Sequence, residues 1–102
     1  MKEVVDQIKS VVSFCGFEVE TISSRQLYIT FDLKSKSRFR KRTYILAVSN
    51  GLTGILKAER ELSRNVKGKV LIYDPVNHLP EPTFDNVILF HDLDTLQQFL
   101  SN

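Results

Sequence analysis

The segment Leu27–Val48, LYITFDLKSKSRFRKRTYILAV, constrains the fold more than any other part of the chain. Its ends are apolar and β-prone, and its middle places six basic residues in nine positions: Lys34, Lys36, Arg38, Arg40, Lys41 and Arg42. Burying Tyr28, Ile29, Phe31, Tyr44, Ile45, Leu46 and Val48 removes a large apolar surface from water. The middle cannot follow them inward, because an unpaired ammonium or guanidinium is too costly to desolvate. The stretch therefore predicts an antiparallel strand pair anchored in a core, with a basic β-hairpin arm over 34–42 at the surface.

The arm dominates the charge distribution. Net charge is only +2, from 14 basic and 12 acidic residues. Without the arm, eight basic residues face twelve acidic ones, so the rest of the chain carries −4. Such asymmetry points to an acidic partner at the arm, nucleic acid first, with DNA expected ahead of RNA. A solvated charge run that keeps a hairpin tip soluble and blocks edge pairing accounts for the same residues. A length of 102 residues suits one domain, 1–102, with one continuous core. No apolar run approaches the length of a membrane span. The opening MKEVVDQIKS lacks the apolar core of a secretion signal. The single Cys15 excludes an internal disulfide and fits a reducing compartment. These features predict a cytoplasmic protein, in the host's cytoplasm if the source is viral, with no membrane partner and a homodimer permitted.

In chain order, Val4, Val5, Ile8, Val11 and Val12 make one stripe of a helix over 3–14, closed by Gly16. FEVETI, 17–22, alternates as a half-buried strand with Phe17, Val19 and Thr21 on one face. A turn at Ser23-Ser24-Arg25 leads to a strand over 26–33, the arm, and a strand over 43–49. Asn50-Gly51 breaks the pattern, and Thr53 is the expected N-cap of a helix reaching Asn65, with Gly54 weakening its first turn. VLIY, 70–73, reads as a short strand buried on both faces, reached by a helical crossover. Residues 74–86 contain all three prolines, Pro75, Pro80 and Pro82, and read as a loop long enough to suggest function. NVILF, 86–90, is a last strand, and Asp92 or Asp94 caps a final helix with Leu93, Leu96, Phe99 and Leu100 inward. The expected class is α/β (α+β), a single mixed sheet flanked by helices in the order α-β-β-β-α-β-loop-β-α. A helix–glycine–strand–loop–strand layout ending in Asp-Leu recurs at 4–33 and 55–93, which suggests a weak internal duplication with a groove between the halves.

The opening GFEVE after a first helix, and a strand running into Ser49-Asn50 before the second helix, resemble the PD-(D/E)xK nuclease family. That restriction-endonuclease-like family includes the archaeal Holliday-junction resolvases, and the resemblance spans Met1–Tyr73. It implies a mixed sheet flanked by helices and metal-dependent phosphodiester hydrolysis. Active members carry an acidic residue, any residue and a lysine near the end of the third strand, with an aspartate on the second. The acid holds a divalent cation, and the lysine orients or activates water. The matching positions here read Ala47-Val48-Ser49, which can neither ligate a metal nor supply a lysine's charge. A displaced motif at Asp32-Leu33-Lys34, with Glu18 or Glu20 as second carboxylate and magnesium as cofactor, is the nuclease alternative. The chain more closely resembles degenerate archaeal and archaeal-virus-type modules that keep the scaffold and lose the chemistry.

The leading expectation is thus a non-catalytic nucleic-acid-binding or regulatory module without metal or cofactor. Lys34, Lys36, Arg38, Phe39, Arg40, Lys41 and Arg42 are its binding residues, the cations on phosphates and Phe39 against a base. The second is a protein- or peptide-interaction module, in which a sheet edge or the groove between the halves accepts an extended segment. His78 and His91 are far apart and lack metal-ligand spacing, and Cys15 reads as a small buried hydrophobe.

Overall fold

The computed structural model describes residues 2–49 and 51–102, so Asn50 of the expected Asn50-Gly51 break, and Met1, lie outside the described residues. The elements are α1 (Lys2–Phe14), β1 (Phe17–Arg25), β2 (Tyr28–Ser35), β3 (Thr43–Val48), α2 (Leu52–Asn65), β4 (Val70–Tyr73), β5 (Val87–Phe90) and α3 (Leu93–Ser101). They form the expected α+β architecture, one mixed five-stranded sheet with three helices, in strand order β1-β2-β3-β4-β5. β1–β2 and β2–β3 are antiparallel; β3–β4 and β4–β5 are parallel.

Alternation along the strands divides the core into two layers. On one face Phe17, Phe31, Leu33, Leu46, Val48, Leu71, Tyr73 and Phe90 pack against Ile8 and Val12 of α1 and Leu96 and Leu100 of α3. On the other, Tyr28, Ala47, Val70, Ile72 and Val87 pack against Ile55, Ala58 and Leu62 of α2. VLIY contributes residues alternately to both layers, which is why it is apolar throughout. Gly16, with φ +83, closes α1 in the left-handed region where a side chain is strained.

Several expected details move. β1 continues through Arg25, so the turn is Gln26-Leu27 rather than Ser23–Arg25. A bulge between Val19 and Thr21 breaks the FEVETI alternation, pairing Thr21 with Asp32 and Ile22 with Phe31. Thr21 therefore lies on the opposite face from Phe17 and Val19. The N-cap of α2 is Gly51, with no side-chain bond, rather than Thr53. Gly54 matters for close approach: a Cβ there would collide with the Ser49 side chain and the Leu27 carbonyl. Ser49 Oγ donates to Leu27 O at 2.8 Å, tying the end of β3 to the β1–β2 turn. Asp92 caps α3 as expected, accepting from Thr95 N at 2.7 Å. That bond, with one from the Thr95 hydroxyl, holds its carboxyl below the usual aspartate value. The two segments of the suggested duplication differ, since the strand pair within 4–33 is antiparallel and that within 55–93 is parallel.

The crossover from β4 to β5 contains no helix. Buried carboxylates strap it to the sheet instead. Asp74 accepts from His78 N at 3.1 Å and Leu79 N at 2.9 Å, and Glu59 of α2 accepts from Thr83 N at 2.8 Å. Leu79 and Phe84 supply the apolar cover a helix would have given.

Candidate nucleic-acid interface

The link from β2 to β3 is a structured loop and not an extended arm. Ladder pairing ends at Lys34↔Thr43, and the chain bends through residues 38–40. Two serines shape it. Ser35 N donates to Arg42 O at 2.9 Å, while Ser35 Oγ accepts from Arg42 N and donates to Arg40 O, each at 2.9 Å. Ser37 Oγ accepts from both Phe39 N and Arg40 N at 3.2 Å, a local side-chain–backbone turn. Lys36 N donates to Gly16 O at 2.8 Å, fixing the loop's base to the α1–β1 turn.

The six basic residues separate into two groups. Lys36, Arg38, Arg40 and Lys41 are exposed and pair with no carboxylate among the described residues. Between them Phe39 is 98% exposed. Lys34 and Arg42 are engaged with the protein itself. Lys34 Nζ lies 3.5 Å from Glu20 Oε1. Arg42 lies half-buried, with its guanidinium 5.0 Å from the Phe17 ring centroid and Nη2 donating to Leu100 O at 3.1 Å. Arg42, expected on the binding surface, thus fastens the loop to the end of α3. The alternating presentation of Lys34, Lys36, Arg38 and Arg40 ends where β2 ends.

Of the residues named for a displaced nuclease motif, Glu20 and Asp32 line one groove of about 520 Å³. It opens on the α2 side of the sheet at the same end as the basic loop, bounded by Thr43, Ile45 and the Val66–Lys69 connection. Glu18 is exposed on β1 opposite Lys34. Among the described residues, no three His, Cys, Asp or Glu side chains are grouped so as to hold a metal ion. Ala47, Val48 and Ser49 are buried, the last committed to Leu27 O.

At the far end of the sheet the structure joins residues that the sequence keeps apart. Asp74 Oδ1 lies 3.3 Å from His78 Nδ1, and Asp74 Oδ2 lies 3.7 Å from His91 Nε2. His91 Nε2 is also 2.9 Å from Leu79 O. The histidines are therefore neighbours of one buried carboxylate rather than isolated, and their bonds brace the β4–β5 crossover. The signal was positional: Asp74 and His91 each follow the last residue of a parallel strand. Cys15 is half-buried beside Gln97 and Ser101. Tyr28 donates its hydroxyl to Glu61 Oε1 at 2.6 Å, and burial together with that bond pushes its phenol up to about 12. Among the described residues no helix is long and apolar enough to cross a membrane.

No family model matches the chain, and neither the curated proteins nor the solved structures contain a significant match to it.

Proposed function

We propose that this protein binds nucleic acid through the loop 36–41 as a non-catalytic module, with Lys36, Arg38, Arg40 and Lys41 on phosphates and Phe39 stacked on an exposed base. The observation that carries this reading is Phe39 standing in solvent between four cations that have no carboxylate partner among the described residues. A loop that only solvates a hairpin needs the charge and gains nothing from the aromatic ring. Backbone cations combined with an aromatic platform are what single strands, or locally unpaired duplexes, require. The hydrogen bonds of Ser35 and Ser37 support the reading, because a preshaped loop loses less entropy on binding. The burial of Ala47, Val48 and Ser49 supports a non-catalytic role at the positions where the resembled nucleases carry their motif.

Fluorescence anisotropy with labelled single-stranded and duplex DNA, and an RNA of the same sequence, tests the proposal. Four phosphate contacts give a log–log salt slope of about −3.6 on duplex and about −2.8 on single strands. Raising salt from about 50 to 200 mM then weakens binding about 150-fold and about 50-fold respectively. Phe39→Ala should cost single-strand binding about 1–3 kcal/mol. Absence of binding at the lower salt, or binding untouched when the four cations become alanine, refutes the proposal.

A strand-adding peptide partner ranks below this. β1 is a terminal strand of the sheet, yet its bulge and its Glu18, Glu20 and Arg25 are features that discourage edge pairing.

A further inference from the structure

The groove beside the loop holds one group that the fold does not use. Asp32 sits mid-strand on β2, half-buried, and its carboxylate has no hydrogen-bond or ion-pair partner among the described residues. Its neighbour Glu20 is paired with Lys34 at 3.5 Å, whereas Asp32 lines the groove with no such partner among the described residues. Ile45 and Val66 give apolar walls, and Lys67 stands at the rim. Thr43, which lines the groove, follows directly after Arg42, where the basic loop ends.

This combination sorts the parts of a nucleotide. A phosphate is disfavoured directly beside Asp32 and is held by cations farther out, those of the loop and Lys67 at the rim. A flat base fits against the apolar walls, and the groove's volume of about 520 Å³ falls within the ordinary range for small-molecule sites. An ionised carboxylate only accepts hydrogen bonds, so it favours a base edge that offers N–H donors. Adenine, cytosine and guanine carry an exocyclic amine, whereas the one edge donor of thymine and uracil, N3–H, lies between two carbonyl oxygens that repel a carboxylate. We propose that the groove reads one base of the strand held at the loop, selecting an amino-bearing nucleobase whose exocyclic N–H donates to Asp32. This inference rests on the loop binding nucleic acid, and it adds a base preference to an otherwise sequence-independent contact.

The test is anisotropy of the full chain with labelled oligo(dA), oligo(dC) and oligo(dT) at one low salt concentration, for the wild type and Asp32→Ala. The wild type should bind oligo(dA) and oligo(dC) roughly five- to tenfold more tightly than oligo(dT), the scale of one charged base contact. Asp32→Ala should bring that ratio to about one while leaving the oligo(dT) salt slope unchanged. An oligonucleotide of N4,N4-dimethylcytosine removes the donors with the protein untouched, and the wild type should bind it no better than oligo(dT). Equal binding of all three homopolymers by the wild type, or a preference that persists in Asp32→Ala, overturns the inference and leaves the loop reading standing. Failure of every oligonucleotide to bind overturns both.

Discussion

The division of the basic run into exposed and engaged residues makes a prediction about two arginines only two positions apart. Arg40→Ala removes an exposed side chain without a partner among the described residues, so stability should stay within about 0.5 kcal/mol of the wild type. Arg42→Ala removes a charged hydrogen bond to Leu100 O at 3.1 Å and a guanidinium 5.0 Å from the Phe17 centroid. Hydrogen bonds to charged groups contribute about 1.5–3 kcal/mol, and a partly desolvated cation–π contact about 1 kcal/mol. Against this, Arg42 Nε is buried without a partner among the described residues, and truncation relieves that desolvation cost of about 1–3 kcal/mol. The net loss is therefore about 1–2 kcal/mol, or a Tm lower by roughly 5–15 °C for a domain of this size. Binding should respond in the opposite order. Arg40→Ala should flatten the duplex salt slope by about 0.9, and Arg42→Ala should leave it unchanged. Thermal unfolding followed by circular dichroism, paired with salt-dependent anisotropy, reads both quantities. Equal destabilisation by the two variants, or a flattened slope in Arg42→Ala with no loss of Tm, would refute the division.

Two further predictions concern the scaffold. Gly54→Ala should destabilise by about 3 kcal/mol despite the roughly 1 kcal/mol gain in helix propensity, since the new Cβ meets the Leu27 carbonyl, which cannot rotate away; if thermal melts show it as stable as the wild type, the close approach of α2 to the β1–β2 turn is wrong. Tyr28 has a folded-state value raised to about 12 from 10.0, so its contribution is full below pH 10 and is lost as pH rises through 12; Tyr28→Phe should abolish that part of the alkaline loss of stability, and a phenolate titration near 10 that disappears in Tyr28→Phe would contradict it.

What could be read from the sequence, and what could not, follows from how local each determinant is. The strands and helices rest on runs such as VLIY and the Val4–Val12 stripe, whose periodicity needs no knowledge of partners. The bulge after Val19 was hidden because Glu20 continues the polar alternation in sequence while adding one unpaired residue in space. Arg42 reads as one more charge in a run. Only the placement of Phe17 and the end of α3 beneath it makes it a fastening. Gly54 looks like a weak first turn for the same reason, because Ser49 and Leu27 come near it only when β3, α2 and the β1–β2 turn are assembled. Asp74 and His91 each follow the end of a different strand, and that shared position becomes an adjacency only once β4 and β5 are paired in parallel. Ser35 and Ser37 were legible in principle. Serines placed every second residue in a charged run are turn-forming side chains, and their hydroxyls here bond the backbone of Phe39, Arg40 and Arg42, within and beyond the bend.

These placements bear on why the loop carries an aromatic ring at all. Leaving Phe39 in water forgoes about 1.5–3 kcal/mol of burial, and three bonded anchors hold the loop where that cost persists: Ser35, Ser37 and the Lys36 contact to Gly16. A slack loop of the same composition would let Phe39 fold back against the protein and leave water. The loop is instead tied at its base in three places: to the α1–β1 turn through Gly16, to α3 through Arg42, and to the β2–β3 ladder through Ser35. Charge alone would serve solubility with any backbone conformation. A fixed backbone that keeps a ring exposed among cations with no carboxylate partner among the described residues suits a partner that brings both phosphate and a flat apolar face, and under the proposed reading nucleic acid offers the two together.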